Sequence, residues 1–111
     1  MPRKSILDRR VSEVYPMLIA KAERKGRTRA EVDALTAWLT GYDMETADLD
    51  VTYADFFQNA PAYNPRSELI RGTICGVRVE EIEDPLMKRI RQLDKLVDEL
   101  ARGRPLERIL R

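Results

Sequence analysis

The sequence predicts an all-α fold, and three observations carry that prediction. A stripe of apolar residues runs through the last third of the chain at helical spacing. Two earlier segments open on residues that cap helices and close on glycine. Only Val77-Arg78-Val79 alternates in the manner of a strand. The expected architecture is one helical domain over residues 1–111. It comprises an antiparallel helix pair, two short helices and a long C-terminal helix packed across them, with room for one short extended segment at 74–80.

In the first helix Val11, Val14, Tyr15, Leu18, Ile19 and Ala22 fall on one side. Ser12 can cap its start, which would put Pro16 in the first turn, where a missing N–H does no harm. Alternatively the helix begins at Pro16, because proline disfavours helical geometry at Tyr15. Gly26 stops it. In "TRAEVDALTAWLTG" Thr28 and Glu31 stand three apart as a capping box, Val32, Leu35, Trp38 and Leu39 form the inward stripe, and Gly41 ends the helix. The acidic run "DMETADLD" reads as loop with at most one helical turn. Thr52 and Asp55 repeat the capping spacing ahead of Phe56 and Phe57, and Asn64-Pro65 opens a further short helix towards Leu69, Ile70 and Gly72.

Asp84-Pro85 gives the same start signal before the strongest element. Leu86, Ile90, Leu93, Val97 and Leu100 step by four, three, four and three, with Met87 and Leu96 widening the stripe. Lys95–Glu99 and Asp98–Arg102 are expected as i,i+4 pairs on the opposite, solvent face. Gly103 and Pro105 stop the helix, and Leu106, Ile109 and Leu110 can dock a last short helix on the core.

Composition narrows the class. Of 111 residues 43% are apolar and 35% charged, which describes a globular chain with a heavily charged exterior. The longest strongly apolar run, Met17 to Ala20, is far short of a membrane span, and no apolar segment of a secretory signal follows Arg3 and Lys4. One cysteine cannot form an intramolecular disulfide, so the expected location is the cytoplasm. Net charge is +1 but unevenly placed. Residues 1–29 carry nine basic against three acidic groups, residues 30–70 one against eight, and residues 71–111 ten against eight.

From "VYPMLIAKAERKGRTRAEVDALTAWLTGYD" through "ICGVRVEEIEDPLMKRIRQLDKLVDELARGRPLERIL" the chain resembles the domain of unknown function 2200 family, with "KAERKGRT", "WLTGY" and "EDPLM" as the most specific phrases. The resemblance implies a small bacterial intracellular protein. It brings no catalytic residue and no ligand.

The residues offer few chemical groups. There is no histidine, no nucleophile elbow, no glycine-rich phosphate loop and no Cys/His metal spacing, so the expectation leans away from an enzyme and implies no cofactor. Glu80, Glu81, Glu83 and Asp84 could surround a hard cation, but a helix start explains that composition already, and no metal is predicted. The stretch 72–85 therefore reads as a connector. Cys75 lacks a base and fits a buried apolar role. Tyr42, Tyr63, Cys75 and Arg78 are the candidates for a small-ligand pocket beside residues 72–79, the two tyrosines fitting core or pocket equally. Arg24, Lys25, Arg27 and Arg29 form a basic corner between the first two helices. It suits phosphate contact, although Glu31 and Asp33 follow where they would repel it. The leading functional expectation is a non-catalytic interaction module that self-associates as a homodimer, from the wide stripe on the long helix and the split charge. A nucleic-acid-binding regulator and a small-ligand-binding protein are the alternatives.

Overall fold

The computed structural model describes residues 5–74 and 76–111. Among these the chain forms five α-helices: α1 (Val11–Glu23), α2 (Arg29–Thr40), α3 (Tyr53–Gln58), α4 (Pro85–Ala101) and α5 (Leu106–Ile109). Two short strands, β1 (Thr73–Ile74) and β2 (Val77–Arg78), pair antiparallel in register Thr73↔Arg78 and Ile74↔Val77. Single 3-10 turns occur at Ile6–Asp8, Pro65–Leu69 and Val79–Glu81. The architecture is predominantly helical, as the periodicity predicts.

The spine is α4. Asp84 accepts from the Leu86 and Met87 N–H groups at 2.9 and 3.3 Å, so the Asp-Pro pair does start the helix. Ile90, Leu93, Leu96, Val97 and Leu100 are all buried, and α1, α2, α3, α5, β1 and the turn Val79–Glu81 each pack on this helix. One buried cluster joins residues of all five helices. The stripe that suggested a partner is thus covered by its own chain, with Leu86 and Met87 half-buried at its N-terminal end.

The face expected to carry solvated pairs on α4 is covered as well. Asp98 and Glu99 are buried. Asp98 does meet Arg102 at 3.0 Å, as the spacing predicts, and also Lys21 of α1 at 3.4 Å. Lys95 pairs with Asp98 rather than with Glu99. Glu99 instead takes Arg104 at 3.1 Å and Arg111 at 2.7 Å, because the turn after Gly103 swings the C-terminal segment back over α4. Ile109 is thereby buried, so α5 docks as expected.

The first helix departs from both expected starts. It begins at Val11, and Pro16 is its sixth residue, in the second turn. Arg10, the N-cap, makes no side-chain cap. Backbone carbonyls from a distant segment do that work: Val51 accepts from Val11 N–H at 2.9 Å and Leu49 from Ser12 N–H at 2.8 Å. Tyr53 N–H returns a bond to the Arg9 carbonyl at 2.8 Å. Pro16 is tolerated because it and Ser12, whose carbonyl loses the intrahelical donor, both lie exposed to water.

In α2 the capping box forms as predicted, with Thr28 N–H to Glu31 at 3.0 Å and Glu31 N–H to the Thr28 hydroxyl at 3.2 Å. Trp38 is only half-buried, at the edge of the core, whereas Thr36 and Thr40 are fully buried. Their hydroxyls donate to the Val32 and Thr36 carbonyls at 3.0 and 2.7 Å, which leaves the methyl groups free to pack. The helix expected after Asn64-Pro65 is a 3-10 turn, and α3 is capped by Thr52 as predicted. The extended segment at 77 pairs with residues of its own chain, Gly76 supplying the positive φ (+79°) at the reversal. No described helix is long and apolar enough to cross a membrane.

Candidate functional site

A cleft of about 400 Å³ lies between the segment Tyr63–Glu68 and the N-terminal half of α4. Its first wall is fixed to the end of α2. The Ala62 and Asn64 N–H groups donate to the Thr40 and Leu39 carbonyls at 3.1 and 2.9 Å, and Asn64 Nδ2 donates to the Trp38 carbonyl at 3.1 Å. Carbonyls that the helix end leaves free are thus closed by the incoming strand of backbone. Gly41 makes the approach feasible: a Cβ there would stand 2.7 Å from that of Ala62. Asn64 then caps the Pro65–Leu69 turn through its Oδ1.

The second wall is a polar face of α4. Pro85, Lys88, Arg89 and Gln92 recur at i, i+3, i+4 and i+7 and so line up on one side. Tyr63 bridges the walls. Its hydroxyl donates to Gln92 Oε1, and the Arg89 guanidinium sits 4.0 Å from its ring centroid. Arg89 Nη1 also donates to the Phe57 carbonyl at 2.6 Å, which ties the cleft to α3. At the floor, Gln92 is only 2% exposed and its Nε2 donates to the Ser67 carbonyl at 3.3 Å. Burial pushes the Tyr63 phenol well above its usual range, outweighing the downward pull of the Arg89 charge. Tyr63 is therefore a neutral hydrogen-bond donor at neutral pH. At the rim Lys88 stands 3.8 Å from Glu68, whose side chain is 75% exposed.

The other candidates are placed apart from this cleft. Tyr42 stacks on Phe56 with centroids 4.3 Å apart and donates to the Phe56 carbonyl at 2.7 Å, a structural role. Arg78 lines a separate hollow with Gly76, Val77, Glu81 and Ile82 and reaches Glu80 at 3.9 Å. Among the described residues Tyr63 and Arg78 line different hollows and Tyr42 lines neither of these two; Cys75 lies outside the described residues. Glu80 accepts from Gly72 N–H, which lowers its affinity for a proton, and Asp84 is occupied as a cap. In the basic corner Arg27 is committed to Glu31 at 2.6 Å and to the Arg104 carbonyl, and Arg29 lies 3.7 Å from Asp33. Arg24 and Lys25 are exposed. A third hollow, on α2, is lined by Ala30, Ala34, Ala37 and Met44 with Asp33, Asp43 and Glu45 around it.

Sequence reasoning singled out Tyr63 but missed Ser67, Lys88, Arg89 and Gln92. The available signal was the polar repeat at 85, 88, 89 and 92, a second face beside the apolar stripe.

A family model described as "Uncharacterized protein conserved in bacteria (DUF2200)" matches residues 5–111. The chain belongs to the DUF2200 family. Among solved structures, this DUF2200 chain is similar to one titled "Crystal structure of uncharacterized protein SP1917", with 49% identity and a TM-score of 0.88 over 98% of this chain and 94% of the other. No curated protein matches it. The DUF2200 fold is thus shared with that solved chain, and the descriptions of both the family and the chain name no activity.

Proposed function

We propose that this DUF2200 protein is a non-catalytic binding module whose site is the cleft between Tyr63–Glu68 and α4. The observation that supports this reading most is the buried polar floor. Gln92, held by Tyr63 and Ser67, occupies a nearly waterless position that an apolar residue could fill at lower cost, since buried polar groups stabilise little even when paired. The size of the cleft, about 400 Å³, falls in the usual range of ~300–1,000 Å³ for a small-molecule site, and its lining of Asn64, Ser67, Lys88, Arg89 and Gln92 supplies oriented polar groups. Catalysis is not part of the proposal because Tyr63, the lining group with a shifted proton affinity, moves away from neutral pH rather than towards it.

Self-association and nucleic-acid binding draw less support from the geometry. A dimer would need a surface other than the α4 stripe, and the exposed large apolar side chains Met17, Leu69 and Val77 stand on three separate elements. The basic corner has half of its cations opposite acids of its own helix pair. The lone cysteine continues to support a reducing compartment. A thermal-shift screen followed by amide chemical-shift mapping tests the binding reading. Hits should perturb residues 63–68 and 85–92 together; hits that map elsewhere, or none, would refute it.

A further inference from the structure

Resting on the reading of this cleft as a ligand site, we propose that its ligand presents a small oxyanion, a carboxylate or a phosphate, held between Arg89 and Lys88. The first reason is an uncompensated charge. Arg89 is half-buried, and among the described residues no carboxylate lies within ion-pair distance of it. Other sheltered cations of the fold are matched: Arg27 by Glu31, Arg91 by Asp94, Lys95 by Asp98 and Arg111 by Glu99. Sheltering a guanidinium without a counter-ion is costly, and an anion entering the cleft would remove that cost.

The second reason is preorganisation. Arg89 is held on one side by the Phe57 carbonyl and on one face by the Tyr63 ring, which fixes the guanidinium plane and leaves further N–H donors uncommitted. A planar fork held in place is suited to bidentate contact with a carboxylate or phosphate. The third reason is the state of Lys88. Its side chain is sheltered, but its partner Glu68 is exposed and 3.8 Å away, a weak and solvent-screened contact. Glu68 thus stands where a ligand oxygen would stand, as a partner that an incoming anion displaces. A cationic ligand would meet two like charges, and a wholly neutral one would leave Arg89 unmatched.

The test is an amide chemical-shift titration of the full chain with inorganic phosphate, with succinate and with the neutral isostere succinamide at matched chloride. Two variants that leave the core untouched, Lys88→Ala and Glu68→Gln, are titrated alongside, their fold checked by unchanged spectra away from the cleft. Phosphate or succinate should move resonances at 63–68 and 85–92 while succinamide does not, and the stronger of the two identifies the oxyanion. Lys88→Ala should weaken binding about tenfold, and Glu68→Gln should strengthen it about threefold by removing the competitor. Anions that leave the cleft resonances still, or affinities equal in both variants and the parent, would overturn the assignment. If neutral molecules bind the cleft regardless of these substitutions, the oxyanion inference fails while the binding module stands; if nothing charged or neutral binds there, both fail.

Discussion

At the scale of single residues, two buried tyrosines separate burial from hydrogen bonding. Tyr15 donates to Asp33 at 2.6 Å and meets the Thr36 hydroxyl at 3.1 Å. Tyr53 is equally buried, at 1% exposure, but its hydroxyl has no hydrogen-bond partner among the described residues. Removing each oxygen should therefore give opposite results in urea denaturation. Tyr15→Phe should cost about 1–3 kcal/mol, because a bond to a carboxylate is lost, whereas Tyr53→Phe should be neutral or stabilising. Asp94 supplies a pH-dependent counterpart. Burial raises its pKa, and the Arg91 contact at 2.9 Å only partly opposes that. A carboxyl whose folded pKa lies above its unfolded value favours folding while protonated and loses that contribution as pH rises through the unfolded and then the folded value. Stability of Asp94→Asn relative to the parent should accordingly increase as pH rises from below the ordinary aspartate value to above the raised one, and an unchanged difference would contradict the assignment. Glu31 has the reverse sign. Its pKa is lowered by the Arg27 hydrogen bond first, so its contribution is present above the unfolded value and lost as pH falls through the folded one.

At the scale of elements, the ends of helices decide what can be exchanged. Gly41 and Gly103 both adopt positive φ, +82° and +93°. A Cβ on Gly103 meets nothing within 4 Å, so Gly103→Ala should cost only the left-handed strain of about 1–2 kcal/mol. Gly41→Ala adds a collision with Ala62 and should cost clearly more, with the cleft wall displaced; thermal denaturation of the pair, with amide shifts at 62–64, checks both statements. Element starts were also the most legible part of the sequence. Thr28/Glu31, Thr52/Asp55 and Asp84-Pro85 all cap as read, because each works through side chains within three residues of the backbone they satisfy. The start of α1 was not legible for the complementary reason. Its caps are carbonyls of Leu49 and Val51, which no local pattern around Arg10 announces. The same holds for Asp98 and Glu99: their spacing to nearby cations resembles a solvated face, and only the return of Arg104 and Arg111 buries them. In the cleft, Tyr63 stood out by type, while Lys88, Arg89 and Gln92 read as ordinary helix surface because the wall opposite them comes from a turn some twenty residues earlier.

At the scale of the whole molecule, the fold is organised by one helix that is surrounded. The radius of gyration, 13.2 Å, is close to the ~13 Å expected for a compact unit of about 100 residues. Because α1, α2, α3 and α5 already cover the α4 stripe, the described residues leave exposed only the scattered large apolar side chains Met17, Leu69 and Val77. Sedimentation at micromolar concentration should therefore show a monomer, and a stable dimer would direct attention to a surface away from α4. Leu93 reports on the same arrangement. Leu93→Ala should cost ~2–5 kcal/mol in a single cooperative transition, since the cavity would open beneath several elements together.

The placement of that central helix after α1, α2 and α3 in the chain sets the timing of folding during synthesis. Residues 11–58 leave the ribosome with their inner surfaces matched to a piece that has not yet been made, and the backbone caps of α1 arrive some forty residues after it. Cooperative structure must wait until translation has passed Leu100, so nascent chains arrested before that point should remain protease-sensitive and those released beyond it should become resistant together.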